Sequence, residues 1–317
     1  MTHRIRIFLL STFIGIVTLM LGQVVTPAAQ ADLSRRIVHT DPAAFRPSPA
    51  VHGGAGTMAF TALLNRGAVT PEFNFLHRGE IPPGAGIGHH FHNTVEEMFV
   101  ILDGEAQFTV DGRTALVKGP AGVICRTGHS HAIYNSSTKP VQWVNLNVSL
   151  NAGVYDNFDM GDTRAGAPLD PIPTFMVGRF DRDLFVNQGG RGGRGAASAT
   201  SAAPATVLTR RALGTAVFST TWAYIDQVLV PQGMSTIEMK HDTVGEAYYV
   251  LAGSGTVTVK GTASETAPVK KGDAIPIKIG ELSLFTNTGS EPLELFVMGV
   301  AKDMAAKTQL LAGGNQR

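Results

Sequence analysis

Two histidines and a glutamate in the first third of the chain have the residue types and the spacing of a metal site. His90 and His92 stand two positions apart, so in an extended strand both imidazoles point to the same face. Four residues, enough for a turn, separate His92 from Glu97, and strand-forming residues follow. An antiparallel return strand would bring the Glu97 carboxylate back over the imidazoles. Two neutral nitrogens and one anionic oxygen suit a divalent transition metal.

A fourth ligand should come from a further strand, and His131 is the candidate. It ends the run Gly128-His129-Ser130-His131, and Asn135 follows. We interpret His129 as a turn residue that faces solvent or supports the ligands. His89 is out of phase with His90, so we expect it to face away from the site.

These spacings resemble the first motif of the cupin family, which reads Gly84, five residues, His90-x-His92, four residues, Glu97, six residues, Gly104. The run from Gly128 to Asn135 resembles the core of the second motif. Two positions depart from it, because Arg126 stands where the family usually has proline and Pro120 where it has a leading glycine.

The resemblance implies an all-β fold of antiparallel jelly-roll barrels. It also implies one divalent transition metal held by His90, His92, Glu97 and His131, with coordination positions left open for a small-molecule substrate. The donor set does not separate Fe, Mn, Co, Ni, Cu and Zn.

Composition limits the function classes. The chain has 317 residues, 36 of them glycine, as is typical of a turn-rich β protein. The net charge of +1 gives no indication of a nucleic-acid partner. Cys125 is the only cysteine, so no internal disulfide forms, and we interpret it as a small core residue.

The N-terminus has the pattern of a secretory signal peptide. Arg4 and Arg6 precede an apolar run, and Ala29-Gln30-Ala31 forms a small-x-small site. We expect cleavage after Ala31 and a periplasmic or secreted protein without membrane association. The alternative is an uncleaved anchor, because the apolar run approaches the length of a spanning helix.

Short strand-forming runs follow, separated by turn signals such as Asp103-Gly104 and Asp111-Gly112. The expected strands are 73–76, 97–102, 106–110, 114–117 and 141–148.

The pattern then repeats in the second half of the chain. Glu246 and Gly253 stand at one constant offset from Glu97 and Gly104. The chain therefore resembles a bicupin, with strand exchange between its own barrels as a possible arrangement and its oligomeric state left open. The expected segments are a signal peptide 1–31, an extended arm 32–57, an N-terminal barrel 58–150, a connector 151–206 with a Gly/Arg/Ala/Ser-rich linker 189–206, a C-terminal barrel 207–302 and a tail 303–317.

The second copy has lost ligands. Met239 stands at the position of His90 and Ser283 at that of His131, whereas His241 and Glu246 remain. We expect this barrel to be metal-free or weakly metal-binding, because a thioether suits Cu(I) rather than a mixed nitrogen and oxygen centre.

A substrate pocket is predicted beside the first site. Trp143, Asn145 and Asn147 alternate along one strand and should share a face, with Phe99 near them. The two amides would then meet a substrate, or else bond to the 151–188 segment. Arg126 could pair with a substrate carboxylate, although a surface position is the alternative.

The leading hypothesis is an exported metal-dependent oxidoreductase of the dioxygenase kind, in which Glu97 is a ligand that also moves to act as a base. Oxalate decarboxylase activity is disfavoured, because no arginine precedes the first motif and the second site is degenerate. An isomerase or lyase could use the same metal as a Lewis acid. A non-catalytic binding protein, of the sugar-binding or storage kind, is the remaining alternative.

Overall fold

The computed structural model describes residues 32–185 and 206–313, and almost all of its regular structure is β-strand. The expected signal peptide lies outside the described residues, as does the linker apart from Thr206. Within 32–185 and 206–313, no helix is both long and apolar enough to cross a membrane.

The N-terminal barrel is built from two antiparallel sheets, whose strands are β2 (Arg46–Pro49), β3 (Thr57–Leu64), β4 (Phe73–Ile81), β5 (Gly86–His92), β6 (Val95–Ile101), β7 (Glu105–Val110), β8 (Arg113–Lys118), β9 (Ala121–Cys125), β10 (His129–Tyr134), β11 (Val141–Ser149), β12 (Phe158–Asp162) and β13 (Val177–Arg179). The smaller sheet has the order β12-β5-β10-β7-β8 and the larger one β13-β9-β6-β11-β4-β3-β2. The strands expected from the sequence all lie within this barrel.

The C-terminal barrel repeats this arrangement with β14 (Leu208–Leu213), β15 (Trp222–Val230), β16 (Met239–Lys240), β17 (Val244–Ala252), β18 (Ser254–Lys260), β19 (Ser264–Lys270), β20 (Asp273–Ile277), β21 (Leu282–Thr286) and β22 (Leu293–Ala301). Its larger sheet begins with β1 (Val38–His39) and has the order β1-β20-β17-β22-β15-β14, and its smaller sheet has the order β16-β21-β18-β19. Helices α1 (Leu33–Arg36) and α2 (Met304–Ala312) flank the barrels.

The backbone geometry of one predicted hairpin turn accounts for the residues found there. Asp111 and Gly112 join β7 to β8 with φ of 49° and 76°. Positive φ at both central residues matches the twist of the flanking strands, and glycine and aspartate tolerate it. This turn fixes the register of the hairpin.

The two barrels exchange strands. β1 precedes the N-terminal barrel in sequence but pairs with β20 of the C-terminal barrel. β13 precedes the C-terminal barrel but pairs with β9 of the N-terminal one. Arg36 of α1 secures the first exchange through a bidentate ion pair with Glu281. Strand exchange between the chain's own barrels, one of the arrangements expected from the sequence, is thus present among the described residues.

The larger sheets pack against each other through their outer faces. Their apolar side chains form one buried core that joins the barrels, including Met98, Leu146, Trp222 and Phe296. Each barrel has a further apolar core of its own inside. Alternate residues of β6 therefore face the junction and the barrel interior, which places Glu96 and Glu97 in different environments.

Glu96 faces the junction and is fully buried. Its two oxygens accept hydrogen bonds from the backbone N–H groups and the hydroxyls of Ser219 and Thr220. Four donors satisfy a carboxylate that would otherwise be costly to bury. Glu96 thus connects the first barrel to the segment that leads into β15.

Candidate metal centre

Four side chains converge inside the N-terminal barrel. His90 and His92 come from β5, His131 from β10 and Glu97 from β6 of the facing sheet, and their ligand atoms all lie within 4.8 Å of one another. His131 is the direct register partner of His90. All four side chains are buried. The structure thus brings together the four residues predicted as metal ligands.

Backbone carbonyls orient two of the imidazoles. His90 Nδ1 lies 2.8 Å from the carbonyl oxygen of Gly88, and His92 Nδ1 lies 2.6 Å from that of Asp156. A carbonyl oxygen can only accept, so each Nδ1 carries the proton and each Nε2 presents a lone pair. Carbonyl partners of this kind orient metal-binding histidines generally.

The three Nε2 atoms face one another. His131 Nε2 lies 3.1 Å from His90 Nε2 and 3.2 Å from His92 Nε2. Burial lowers the pKa of His90 to about 2, with neighbouring histidines adding to the effect, and burial likewise holds the pKa of His131 well below its usual value. Burial therefore favours neutral imidazoles at His90 and His131, and three ring nitrogens that converge within hydrogen-bond distance are placed to share a cation.

Two amides hold the carboxylate of this group. Asn145 donates to Oε1 of Glu97 at 2.8 Å, and Asn147 donates to Oε2 at 2.7 Å. Asn74 donates in turn to Asn147 and to the carbonyl oxygen of Val154. Oε2 of Glu97 also lies 3.5 Å from His92 Nε2. The amides orient the Glu97 carboxylate toward the histidines.

The donor set fits a divalent transition metal. Three imidazole nitrogens and one carboxylate oxygen are ligands of borderline softness, and the pocket that holds them is buried and preorganised. His90, His92, Glu97 and His131 would hold the ion. Nothing in this set selects one metal of the first transition series.

Aromatic rings enclose the group. The ring of Phe99 stacks on His131 with centroids 4.4 Å apart, and Trp143 packs edge-on against Phe99. Trp143 Nε1 and Asn145 Oδ1 are buried without a hydrogen-bond partner among the described residues. As expected from the sequence, one face that points into the barrel carries Phe99, Trp143, Asn145 and Asn147. The two unpaired polar atoms on this face are available to hydrogen-bond a ligand.

Arg126 lies elsewhere. Cys125 is the register partner of Glu97 and points into the barrel, so the next residue points outward. Arg126 is half-buried near Lys307 of α2, whose pKa is lowered by burial and further by the Arg126 charge. The structure places Arg126 at the barrel junction rather than in the predicted substrate pocket.

The two other histidines of the motifs lie away from the ligand group. His89 is buried, and its Nε2 lies 2.9 Å from the Ser130 hydroxyl. His129 begins β10 instead of lying in a turn, and its Nδ1 lies 2.6 Å from Asp111.

Three neighbours of the group were missed in the sequence. His52 stacks on His90 with centroids 4.0 Å apart and bonds to Asp159. Tyr155 packs edge-on against His92, and burial followed by the Glu97 charge raises the pKa of its hydroxyl. Both come from segments without periodicity, so no pattern marks them. Asn74, by contrast, lies one residue into a predicted strand.

The second barrel repeats the geometry with other residues. Met239 pairs with Ser283 as His90 pairs with His131. Glu246 occupies the register position of Glu97, since each lies opposite a residue of the last long strand of its barrel, Gly299 and Asn147 respectively. The alignment of the two halves inferred from the sequence is therefore confirmed.

Comparison with known proteins agrees with this architecture. The Cupin domain model matches residues 77–148 and 226–299. An oxalate-binding protein of Thermotoga maritima is 30% identical over 102 residues, which are 32% of this chain and 83% of that protein. The chain belongs to the cupin family, and its two matched segments make it a bicupin.

Solved structures share the fold. A deletion mutant of Bacillus subtilis oxalate decarboxylase superposes with a TM-score of 0.55 at 16% identity, over 84% of this chain and 77% of that one. Procruciferin, an 11S globulin of Brassica napus, superposes with a TM-score of 0.59 at 11% identity, over 82% and 84% of the two chains. At these identities the likeness concerns the fold alone.

Proposed function

We propose that this bicupin is a metal-dependent enzyme that binds one divalent transition metal in its N-terminal barrel and oxidises a small organic molecule in the manner of a dioxygenase. The observation that carries the proposal is the convergence of three imidazole Nε2 atoms beside Glu97. A bound redox-active metal would supply Lewis acidity and one-electron chemistry with dioxygen at this point.

The chain's own residues would bind and orient the substrate. The unpaired Trp143 Nε1 is a donor and the unpaired Asn145 Oδ1 is an acceptor, so together they suit a substrate that offers both groups. Glu97 is the carboxylate available as a base. It would release one of its two amide partners to take a proton, and the other would keep it in place.

The rings around the group favour an aromatic substrate. The Trp143 ring contacts both Phe99 and Phe60, and the Tyr155 ring contacts both His92 and Phe75. Aromatic faces bind planar apolar molecules well but do not neutralise anions. Flavonols and catechols therefore suit the site better than short dicarboxylates do.

The second candidate is the binding of a small dicarboxylate without turnover. It is favoured by the Thermotoga maritima relative, which is named as an oxalate-binding protein. A dicarboxylate would depend on the metal for its charge partner, because Arg126 lies at the barrel junction. A metal-dependent isomerase or lyase remains compatible with the same four ligands.

We also propose that the protein works outside the cytoplasm, in the periplasm or secreted, after cleavage behind Ala31. The support is the charged start, apolar run and Ala-x-Ala site of residues 1–31. Mass spectrometry of the exported protein would test this, since a mature chain beginning at Asp32 is expected.

The test of function combines metal analysis with turnover. We expect about one equivalent of metal in the wild type and no change in the matched control His129→Ala. In His131→Ala, which loses a direct ligand, the affinity should fall by more than the roughly 10–100-fold that is typical of losing a hydrogen-bond partner of a ligand. Oxygen uptake with flavonols or catechols, lost in His131→Ala, would support the dioxygenase reading. Saturable oxalate binding without turnover of any substrate would favour the binding protein. Equal metal content in all three proteins would contradict both.

A further inference from the structure

The C-terminal barrel keeps the carboxylate of the site but surrounds it with phenols. The hydroxyl of Tyr248 donates to Oε2 of Glu246 and that of Tyr224 to Oε1, each at 2.6 Å. By register these tyrosines stand at the positions of Phe99 and Phe75. The two amides that hold Glu97 are thus replaced by two hydroxyls.

A glycine makes room for this change. Gly299 occupies the position of Asn147, and a Cβ there would collide with the ring of Tyr224. Burial alone would raise the pKa of Glu246, but hydrogen bonds from His241 and the two tyrosines hold it below its usual value. The second barrel therefore holds an ionised carboxylate in a hydrogen-bond environment of its own, which is more than the remainder of a metal site.

This carboxylate lies on the wall of a large cavity. The cavity has a volume of about 1060 Å³, at the upper end of the range for sites that hold drug-sized molecules. Its inner wall is largely apolar, and Ile237, which is 76% exposed, lies at its mouth. The apolar residues of the inner wall are Val228, Met239, Phe285, Leu295 and Val297.

The other charged residues on the wall are Arg210, Arg211 and Asp226. The Arg210 guanidinium donates to the carbonyl oxygen of Arg179 and to the side-chain oxygen of Gln227. Arg211 forms a bidentate ion pair with Asp226 and lies over the ring of Tyr224, 4.2 Å from its centroid. Because the charges of Arg211 and Asp226 neutralise each other, a ligand in the cavity does not have to supply a charge partner for either residue. Each carboxylate oxygen of Glu246 can accept two hydrogen bonds, and Oε2 accepts one from Tyr248, so it can accept another from a ligand.

We infer that the C-terminal barrel is a second, metal-independent binding site for a neutral aromatic or aliphatic molecule that donates a hydroxyl or amine hydrogen bond to Glu246. The apolar wall binds the body of the ligand, and the carboxylate selects its polar end. This site lies in the other barrel from the metal ligands and does not depend on the reaction proposed for them.

The test uses 2-naphthol, a fluorescent hydroxyl compound, and 2-methoxynaphthalene, which has the same rings but no donor. With metal-stripped full-length protein we expect one 2-naphthol per chain, bound about tenfold more tightly than the methyl ether, because a hydrogen bond to a charged group is lost in the ether. Glu246→Gln should reduce this preference to about twofold.

Ser283→Phe serves as the blocking variant. The first barrel carries an imidazole at this position, so a ring should fit here and occupy the part of the cavity beside Ser283, and binding of both compounds should weaken at least about tenfold. Leu284→Phe is the matched control, because Leu284 is half-exposed on the opposite face of β21, and it should bind as the wild type does. Thermal unfolding would verify that each variant is folded.

Two results would overturn the inference. One is the absence of 2-naphthol binding by the wild type. The other is binding that Ser283→Phe leaves unchanged, and if that binding disappears in His131→Ala, the ligand belongs to the N-terminal barrel. Because the protein is metal-free throughout, neither result depends on whether the proposed oxidation occurs.

Discussion

Asn147 donates its side-chain amide to Oε2 of Glu97 across 2.7 Å, and Gly299 stands at the same register position of the second barrel. The amide fixes the carboxylate beside the three histidines. Where the amide is absent, a tyrosine ring occupies the space and its hydroxyl bonds to Glu246 instead. This position is one of those at which the two sites differ.

Replacing Asn147 should weaken metal binding. Asn147→Leu keeps the volume but removes the donor to Glu97, so we expect metal affinity to fall about 10–100-fold. The free energy of unfolding of the metal-free protein should fall by about 1–3 kcal/mol, since a buried oxygen loses its partner. Competition with a chelator and urea unfolding measure the two effects. Asn151→Leu, at an exposed position just beyond β11, is the control. An unchanged affinity would show that the amide does not position the ligand.

Alanine substitutions of the two adjacent glutamates should have different effects, one on stability and the other on metal content. Glu96→Ala leaves the backbone N–H groups of Ser219 and Thr220 without their acceptor, at about 1–3 kcal/mol each, so the free energy of unfolding should fall by about 2–6 kcal/mol. Metal content should stay near one equivalent. Glu97→Ala should lose metal instead. If Glu96→Ala lost the metal and Glu97→Ala kept it, the assignment of the ligand would be reversed.

Removing Arg36 should destabilise the C-terminal barrel although the residue precedes the N-terminal one. Its guanidinium pairs with the buried Glu281 and donates to the carbonyl oxygen of Pro276. Breaking a buried pair by removing one partner costs about 3–5 kcal/mol. We expect a clearly lower thermal unfolding temperature for Arg36→Ala and almost no change for Arg35→Ala, whose side chain is exposed. Equal unfolding temperatures would mean that the exchanged arm contributes little.

Acid should destabilise the metal-free protein partly through His77. Burial lowers the pKa of His77 to about 4, and its ring stacks on Phe75. Between pH 6.5 and 4 the unfolded chain binds a proton at this residue that the folded chain does not, so stability falls as the pH falls. At pH 5 the loss relative to pH 7 should be about 1–2 kcal/mol smaller in His77→Phe than in the wild type. Urea unfolding at both values measures it, and parallel pH profiles would contradict the expectation.

Much of the architecture could be predicted because strand phase is a local property. The period of two placed His90, His92 and Glu97 on converging faces and directed His89 away from them. The repeat located Met239, Glu246 and Ser283 at the corresponding positions of the second barrel. The direction of the Arg126 side chain could not be predicted in this way. Arg126 follows the end of β9, and the alternation of side-chain direction holds only within a strand.

The sequence by itself determined the fold class, the repeat, the four converging side chains and the loss of ligands in the second copy. Only the tertiary structure decided which carbonyl orients each imidazole, that His52 and Tyr155 enclose the group, that β1 and β13 exchange barrels, and that phenols and a cavity surround Glu246. The physical reason is the range of the interactions. Spacing along a strand fixes the face on which a side chain lies, whereas the path of an irregular segment depends on packing partners that are distant in the chain.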